Sequence, residues 1–337
     1  MMNPFDMLPA LFAHVSYVVD PEKLRALSGR DWPFLFSPLS DPLYVTLIVV
    51  TIVVTVAVIA GCQLLPGPQT FCRSIHDRLL TYSSFVPMIL RTALGVALIV
   101  AGTKSAIFLP YVPGDAVGTL EVVLGFCVLV GFMVRPCGLV ALGVYFYGLS
   151  TSQYLLGTLE SAAAALLIAA HGPDRPSTDD VLNVDVLGAG LEPLWKQLRD
   201  NSGVVLRLAM GCTMIWLAVT EKAFNPRVSE AVVIDFELES VVPVSTAMWV
   251  FSVGVIELAV GLVLVLGFFT RTFSFIAFVV LTLSFFYFKE EVAGHVTFFG
   301  TLMILMITGA GRASLDALIA RKTRGVVGTA CPYGMES

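Results

Sequence analysis

Three blocks of this chain occur twice, in the same order, and each lies in or beside an apolar stretch. Leu90-Arg91-x-Ala93-x-Gly95 returns as Leu206-Arg207-x-Ala209-x-Gly211. Glu121-x-x-x-Gly125, followed by Gly131-Phe132-x-x-Arg135, returns as Glu257-x-x-x-Gly261 and Gly267-Phe268-x-x-Arg271. Gly172-x-x-Arg175-x-Ser177-x-Asp179 returns as Gly309-x-x-Arg312-x-Ser314-x-Asp316. Ordered matches of this kind imply a tandem duplication of one packing unit. They also say where to seek a site: in what the copies share and where they differ.

The repeated unit is a membrane one. Charged residues make up 13% of the chain, against roughly 25% in soluble proteins, and mean hydropathy is +0.86. Apolar runs near span length recur along the sequence, which excludes a soluble protein with a large core. The expected fold is all-α and polytopic, with about nine transmembrane helices: one extra helix plus two parallel four-helix repeats. Residues 1–43 form an extracytoplasmic, interfacial segment with an aromatic belt of Trp32, Phe34, Phe36 and Tyr44 beginning at its end. The extra helix is 44–63. The first repeat, 84–180, has spans at 85–109, 118–134, 137–149 and 154–170. A cytoplasmic linker, 181–202, precedes the second repeat, 203–320, with spans at 204–224, 247–269, 272–288 and 292–310. Residues 321–337 are a cytoplasmic tail. Arg73, Arg78, Arg135, Arg175, Lys196, Arg199, Arg271, Arg312, Arg321, Lys322 and Arg324 outnumber Lys23, Arg25, Arg30, Arg227 and Lys289 on the other side, so the first set marks the cytoplasm. Met1 is then outside the cell membrane and Ser337 inside. The six cysteines show no metal spacing, and no nucleotide loop or nucleic-acid patch occurs. No metal and no nucleic-acid partner is expected, and the lipid bilayer is the first partner.

Charges inside spans are costly, about 2.5–3.5 kcal/mol each at a helix centre, so their positions carry information. Lys104, Glu121, Glu160, Glu257 and His295 all fall about 18–21 Å from the Arg-bearing helix ends, at 1.5 Å per residue. Glu221 and Lys222 lie slightly further out. Two buried ion pairs, Glu121 with Lys104 and Glu257 with Lys222, would explain four of these groups structurally. Arg91, Arg207, Arg135 and Arg271 read as anchors on the cytoplasmic side, with Arg91 and Arg207 able to snorkel toward lipid phosphate. Glu160 and His295 differ: Glu160 aligns with Thr297, and His295 with Thr158. Ionisable residues without a counterpart in the other copy mark specialisation. The expected site is a cavity between the repeats, lined by Glu160, Glu257 and His295, the bland alternative being separate local pairs or caps.

Each repeat resembles the DoxX family of four-helix membrane modules. The second copy carries the motif more fully, with Arg207, Gly211, Lys222, Glu257, Gly261, Gly267, Arg271 and Gly309-Ala310-Gly311-Arg312-Ala313-Ser314-Leu315-Asp316. The first keeps Arg91, Gly95, Glu121, Gly125, Gly131, Arg135 and Asp179, with its Lys displaced and its ending altered. The resemblance implies a membrane subunit of a quinone-linked or thiol/sulfur-linked redox complex, with a partner subunit or redox protein. The related DoxD is a subunit of a thiosulfate:quinone oxidoreductase. No cofactor motif is evident in the sequence, and quinone is the cofactor that the resemblance would supply. A small-solute or lipid transporter, favoured by duplication and intramembrane charge, and a structural membrane anchor are the alternatives.

Overall fold

A computed structural model describes residues 23, 26–64, 74–113, 117–290 and 294–318. The basic residues Arg25, Arg73, Arg321, Lys322 and Arg324 and the 321–337 tail lie outside the described residues. In chain order the principal helices are α1 (Trp32–Phe36), α2 (Pro42–Leu64), α3 (Val86–Thr103), α4 (Gly118–Val130), α5 (Val134–Thr151), α6 (Leu159–His171), α7 (Thr178–Leu182), α8 (Gly188–Asp200), α9 (Ser202–Leu217), α10 (Pro226–Asp235), α11 (Leu238–Val241), α12 (Thr246–Leu266), α13 (Thr270–Phe288) and α14 (Val296–Thr308). Five stretches are long and apolar enough to cross a membrane: Ser83–Thr103, Gln153–His171, Ser202–Ala223, Thr246–Leu266 and Thr270–Phe288. A sixth exists if Trp32–Ser40 and Pro42–Thr55, bent by 82° at their junction, count as one. α4 and α14 are apolar but only 13 residues long, about 20 Å at 1.5 Å per residue. Each of the nine expected spans thus has a helix at its place, but not all nine reach spanning length.

The chain divides into two compact units, which cut across the second repeat. The larger comprises Tyr82–Trp216 and Val260–Leu315. Within it the same contacts are built twice. A Cβ at Gly125 would lie 2.6 Å from the Gly95 carbonyl, and one at Gly211 would lie 2.7 Å from the Gly261 carbonyl. Only glycine permits crossings this close. Gly131 and Gly267 end α4 and α12 in the left-handed region, at φ +75° and +69°, where a Cβ would be strained. Arg91 lies against Gly131 and donates to the Pro176 carbonyl at 2.5 Å; Arg207 lies against Gly267 and donates to the Ala313 carbonyl at 2.6 Å. Arg135 donates to the Ala169 and Ala170 carbonyls, and Arg271 to those of Met306 and Ile307. Arg135 and Arg271 thus clasp carbonyls that the last turns of α6 and α14 leave without partners, while Arg91 and Arg207 hold carbonyls of the loops beyond. Arg91 and Arg207 are buried, so neither snorkels to lipid phosphate.

The smaller unit comprises Met1–Thr81, Leu217–Ala259 and Asp316–Ser337. Asp31 caps α1 by accepting from the Phe34 amide at 3.0 Å and takes a second bond from Arg227 at 2.7 Å. Leu35 is buried with Val233 and Val250, and the Arg227 guanidinium stacks on Phe34 at 3.9 Å. The aromatic segment expected to lie on the surface is therefore tied to α10 and α12. Between α9 and α12 the chain folds as α10 and α11.

α3 and α9 end differently. α3 stops at Thr103, Lys104 is its exposed C-cap, and Ser105 and Phe108 turn through positive φ into the hairpin of β1 (Ala106–Ile107) and β2 (Leu109–Pro113). The expected span 85–109 is thus too long. α9 continues instead through a π-helical turn, Ala218–Ala223. Asn225 donates to the Thr220 carbonyl at 2.7 Å and Ser229 to that of Glu221 at 3.0 Å, satisfying groups that the widened turn releases.

Candidate functional site

Glu160 and His295 stand at the starts of two matching helices, two positions apart in the shared frame: Glu160 is the second residue of α6, and His295 is the N-cap of α14. Both are fully buried in the larger unit. A negative charge suits the first turn of a helix, where free N–H groups and the macrodipole face it. The sequence places threonines opposite both, and the structure uses one of them. Thr297, the counterpart of Glu160, donates to Glu160 Oε1 at 3.3 Å and accepts from Ser161 at 3.0 Å. Thr213 of α9 donates to Glu160 Oε2 at 2.9 Å and accepts from the Leu159 amide at 3.1 Å. The carboxylate therefore accepts one hydroxyl bond on each oxygen, an arrangement that suits its ionised form. Side chains from α6, α9 and α14 converge on it.

His295 lies within electrostatic reach of Glu160. Its Nε2 is 2.6 Å from Glu290 Oε2. Glu290 is slightly exposed, while His295 is 1% exposed. Phe285 meets the imidazole edge-on at 5.7 Å and packs on Phe299 at 5.9 Å. Tyr145, whose hydroxyl donates to the Leu155 carbonyl, is within electrostatic reach of Glu160 as well. The larger unit thus gathers three titratable side chains, Glu290, His295 and Glu160, with aromatic rings and hydroxyls around them.

Glu257 does not belong to this group. It lies in the smaller unit, where Lys222 Nζ is 3.3 Å from Glu257 Oε2 and 2.7 Å from Glu221 Oε2. Gly254 leaves the space that the Lys222 stem fills. The expected Glu257–Lys222 pair is present, with Glu221 as a third member that the spacing did not pair. Of the three residues expected to line one cavity, Glu160 and His295 lie in the larger unit and Glu257 in the smaller. Glu121 does not meet Lys104. Its buried carboxylate accepts from the Phe108 amide at 3.2 Å, whereas Lys104 sits in the exposed cap. The hairpin places that amide there, and no hydrophobic pattern announces it.

Sequence reasoning missed Glu290, Thr213 and Ser161. Glu290 follows the last turn of α13 and reads as a loop residue. Thr213 and Ser161 are single hydroxyls in apolar helices, and their nearness to Glu160 was the available signal for Ser161 alone. An open cavity of about 330 Å³ lies at the Arg-bearing end of the larger unit, near Arg135, His171, Asp179, Asp185, Glu192 and Arg199. Arg135 pairs with Asp185 at 2.7 Å and Arg199 with Glu192, so its cations are already neutralised and it offers no anion site.

The DoxX family model matches residues 203–290, the stretch that holds Arg207, Gly211, Thr213, Lys222, Glu257, Gly261, Gly267, Arg271 and Glu290. Glu160, Ser161, His295 and Thr297 lie outside it. No curated protein and no solved structure matches the chain. Among the described residues five helices reach spanning length, as in a multi-pass helical membrane protein, and the chain's segment 203–290 matches the DoxX family model.

Proposed function

We propose that this chain is the membrane subunit of a quinone-linked redox complex, and that the Glu160–His295 cluster handles the protons of quinone chemistry. The observation that carries the reading is the buried carboxylate with one hydroxyl bond on each oxygen, beside an imidazole in contact with a partly exposed carboxylate. Quinone reduction takes up two protons with two electrons, and a His–carboxylate series reaching toward the surface supplies a route for them. Phe285 and Phe299 offer flat faces to a quinone ring. Electrons must come from a partner subunit, by sulfur or thiol chemistry in the manner the family resemblance implies.

The proposal includes the architecture. Two fused four-helix modules, 84–180 and 203–320, plus the helix beginning at 44, fit the arginine clasps and glycine crossings that recur at matched positions. Met1 then lies outside the cell membrane and Ser337 in the cytoplasm. Mass spectrometry of the protein purified in mild detergent tests the functional reading. Quinone at near-stoichiometric amount, diminished in Glu160→Gln, is the expected result. Absence of quinone together with proton-coupled solute flux in vesicles would replace the reading with the transporter one.

A further inference from the structure

The linker between the repeats is not a plain polar connection. α8 (Gly188–Asp200) is amphipathic, and its apolar sector is only half used within the protein. Trp195, 2% exposed, is buried with Ala169 and Ala170 at the last turn of α6, and Leu198 and Leu139 pack around it. The Trp195 indole also donates to the Leu187 carbonyl at 3.0 Å, and Arg199 donates to the Ala170 carbonyl at 2.9 Å. At 100° per residue, Leu191 and Leu194 lie on the same side of the helix as Trp195 and Leu198. Yet Leu191 is 42% and Leu194 48% exposed, and Leu187, Val184 and Leu182 before them are exposed too. The opposite face carries Lys196, Gln197 and Asp200.

We propose that α8 lies in the bilayer interface at the Arg-bearing ends of the spans, with Leu187, Leu191 and Leu194 inserted among lipid acyl chains. The level of the helix is fixed at both ends. Trp195 seats it on the final turn of a helix of spanning length, Gln153–His171, and the chain enters the next one at Ser202, two residues after α8 ends. Because the Trp195 side of α8 faces the end of α6, the neighbouring Leu191 and Leu194 face the same layer, beside the bundle. Lipid is the occupant continuous with that apolar surface. Burial of such a face about 5–10 Å into the headgroup boundary is the ordinary mode of an interfacial helix with low net hydrophobicity. Lys196, exposed on the opposite face, is placed to meet anionic headgroups.

The test uses the full chain in nanodiscs of phosphatidylcholine and phosphatidylglycerol, with a benzophenone amino acid in place of Leu191, Leu194 or Gln197. These positions are exposed, so folding is not at stake. After irradiation, lipid adducts found by mass spectrometry at 191 and 194 but not at 197 are the expected result. Equal lipid labelling at all three positions, or none at 191 and 194, would overturn the inference. So would cross-linking of 191 and 194 to a second protein chain when the same probes are irradiated in native membranes.

Discussion

Glu160 shows how a mismatch between repeats can locate chemistry. The frame sets Thr297 opposite Glu160, and the folded chain makes the two hydrogen-bond partners. Glu160 and His295 were therefore legible as a specialised pair, because each breaks a pattern that the other copy keeps. Their hydroxyl and carboxylate partners were less so, since Thr213 and Glu290 reach the site through packing of distant helices. Thr213→Val removes one donor to a buried carboxylate and should lower stability by about 1.5–3 kcal/mol, read as a lowered melting temperature in mild detergent. An unchanged melting temperature would mean that Glu160 finds another donor. The Lys222 group makes a second test. Lys222→Met leaves Glu221 and Glu257 without their cation and should cost about 3–5 kcal/mol or somewhat less given partial exposure. Adding Glu257→Gln should recover part of that loss. A double variant worse than the single one would show that the two carboxylates are not coupled through Lys222.

Helix positions were readable from apolar run length, whereas helix ends were not. The run 85–109 continues past the true end of α3, because nothing in apolar content marks Ser105 and Phe108 as residues that turn through positive φ. The π-helical turn at Ala218–Ala223 was legible only as a register discrepancy, Lys104 aligning with Thr220 rather than Lys222. The recurring glycines, by contrast, sit at close helix crossings in the structure. Gly125→Ala would put a Cβ 2.6 Å from the Gly95 carbonyl, and overpacking of this kind costs about 1–3 kcal/mol. Gly143→Ala, where the added Cβ meets nothing within 4 Å, should leave thermal stability unchanged or slightly raised. Equal effects of the two would remove the crossing from the account. A pH test belongs to the α1 arm. The Phe34 amide and the Arg227 side chain hold the Asp31 carboxyl below its ordinary value. The tie is therefore intact above the ordinary carboxylate range and is lost only as pH falls through the lowered value. Limited proteolysis near α1 should be the same at pH 7 and pH 5, and faster at pH 7 in Arg227→Ala. Release of the arm between pH 7 and 5 would contradict this.

At the scale of the molecule, the proposed duplication would explain the paired arginine clasps, and its divergence the proposed site. The copies share the parts that hold helices together: Arg91 and Arg207, Gly131 and Gly267, Arg135 and Arg271. They differ where Glu160, His295 and the π-helical turn occur. Residue count along the spans gives the ionisable residues similar depths but does not fix their partners, which follow from packing: Thr213 and Thr297 for Glu160, Lys222 for Glu257. The central claim is that the Glu160–His295 cluster receives a quinone ring. The most direct measurement is photolabelling of the full chain in nanodiscs with an azido-quinone, mapped by mass spectrometry. The account predicts label on peptides holding Phe285, His295 or Phe299, competed by unmodified quinone and lost in Glu160→Gln. Label spread over the lipid-exposed faces of α12 and α13, unaffected by competitor or by Glu160→Gln, would contradict it.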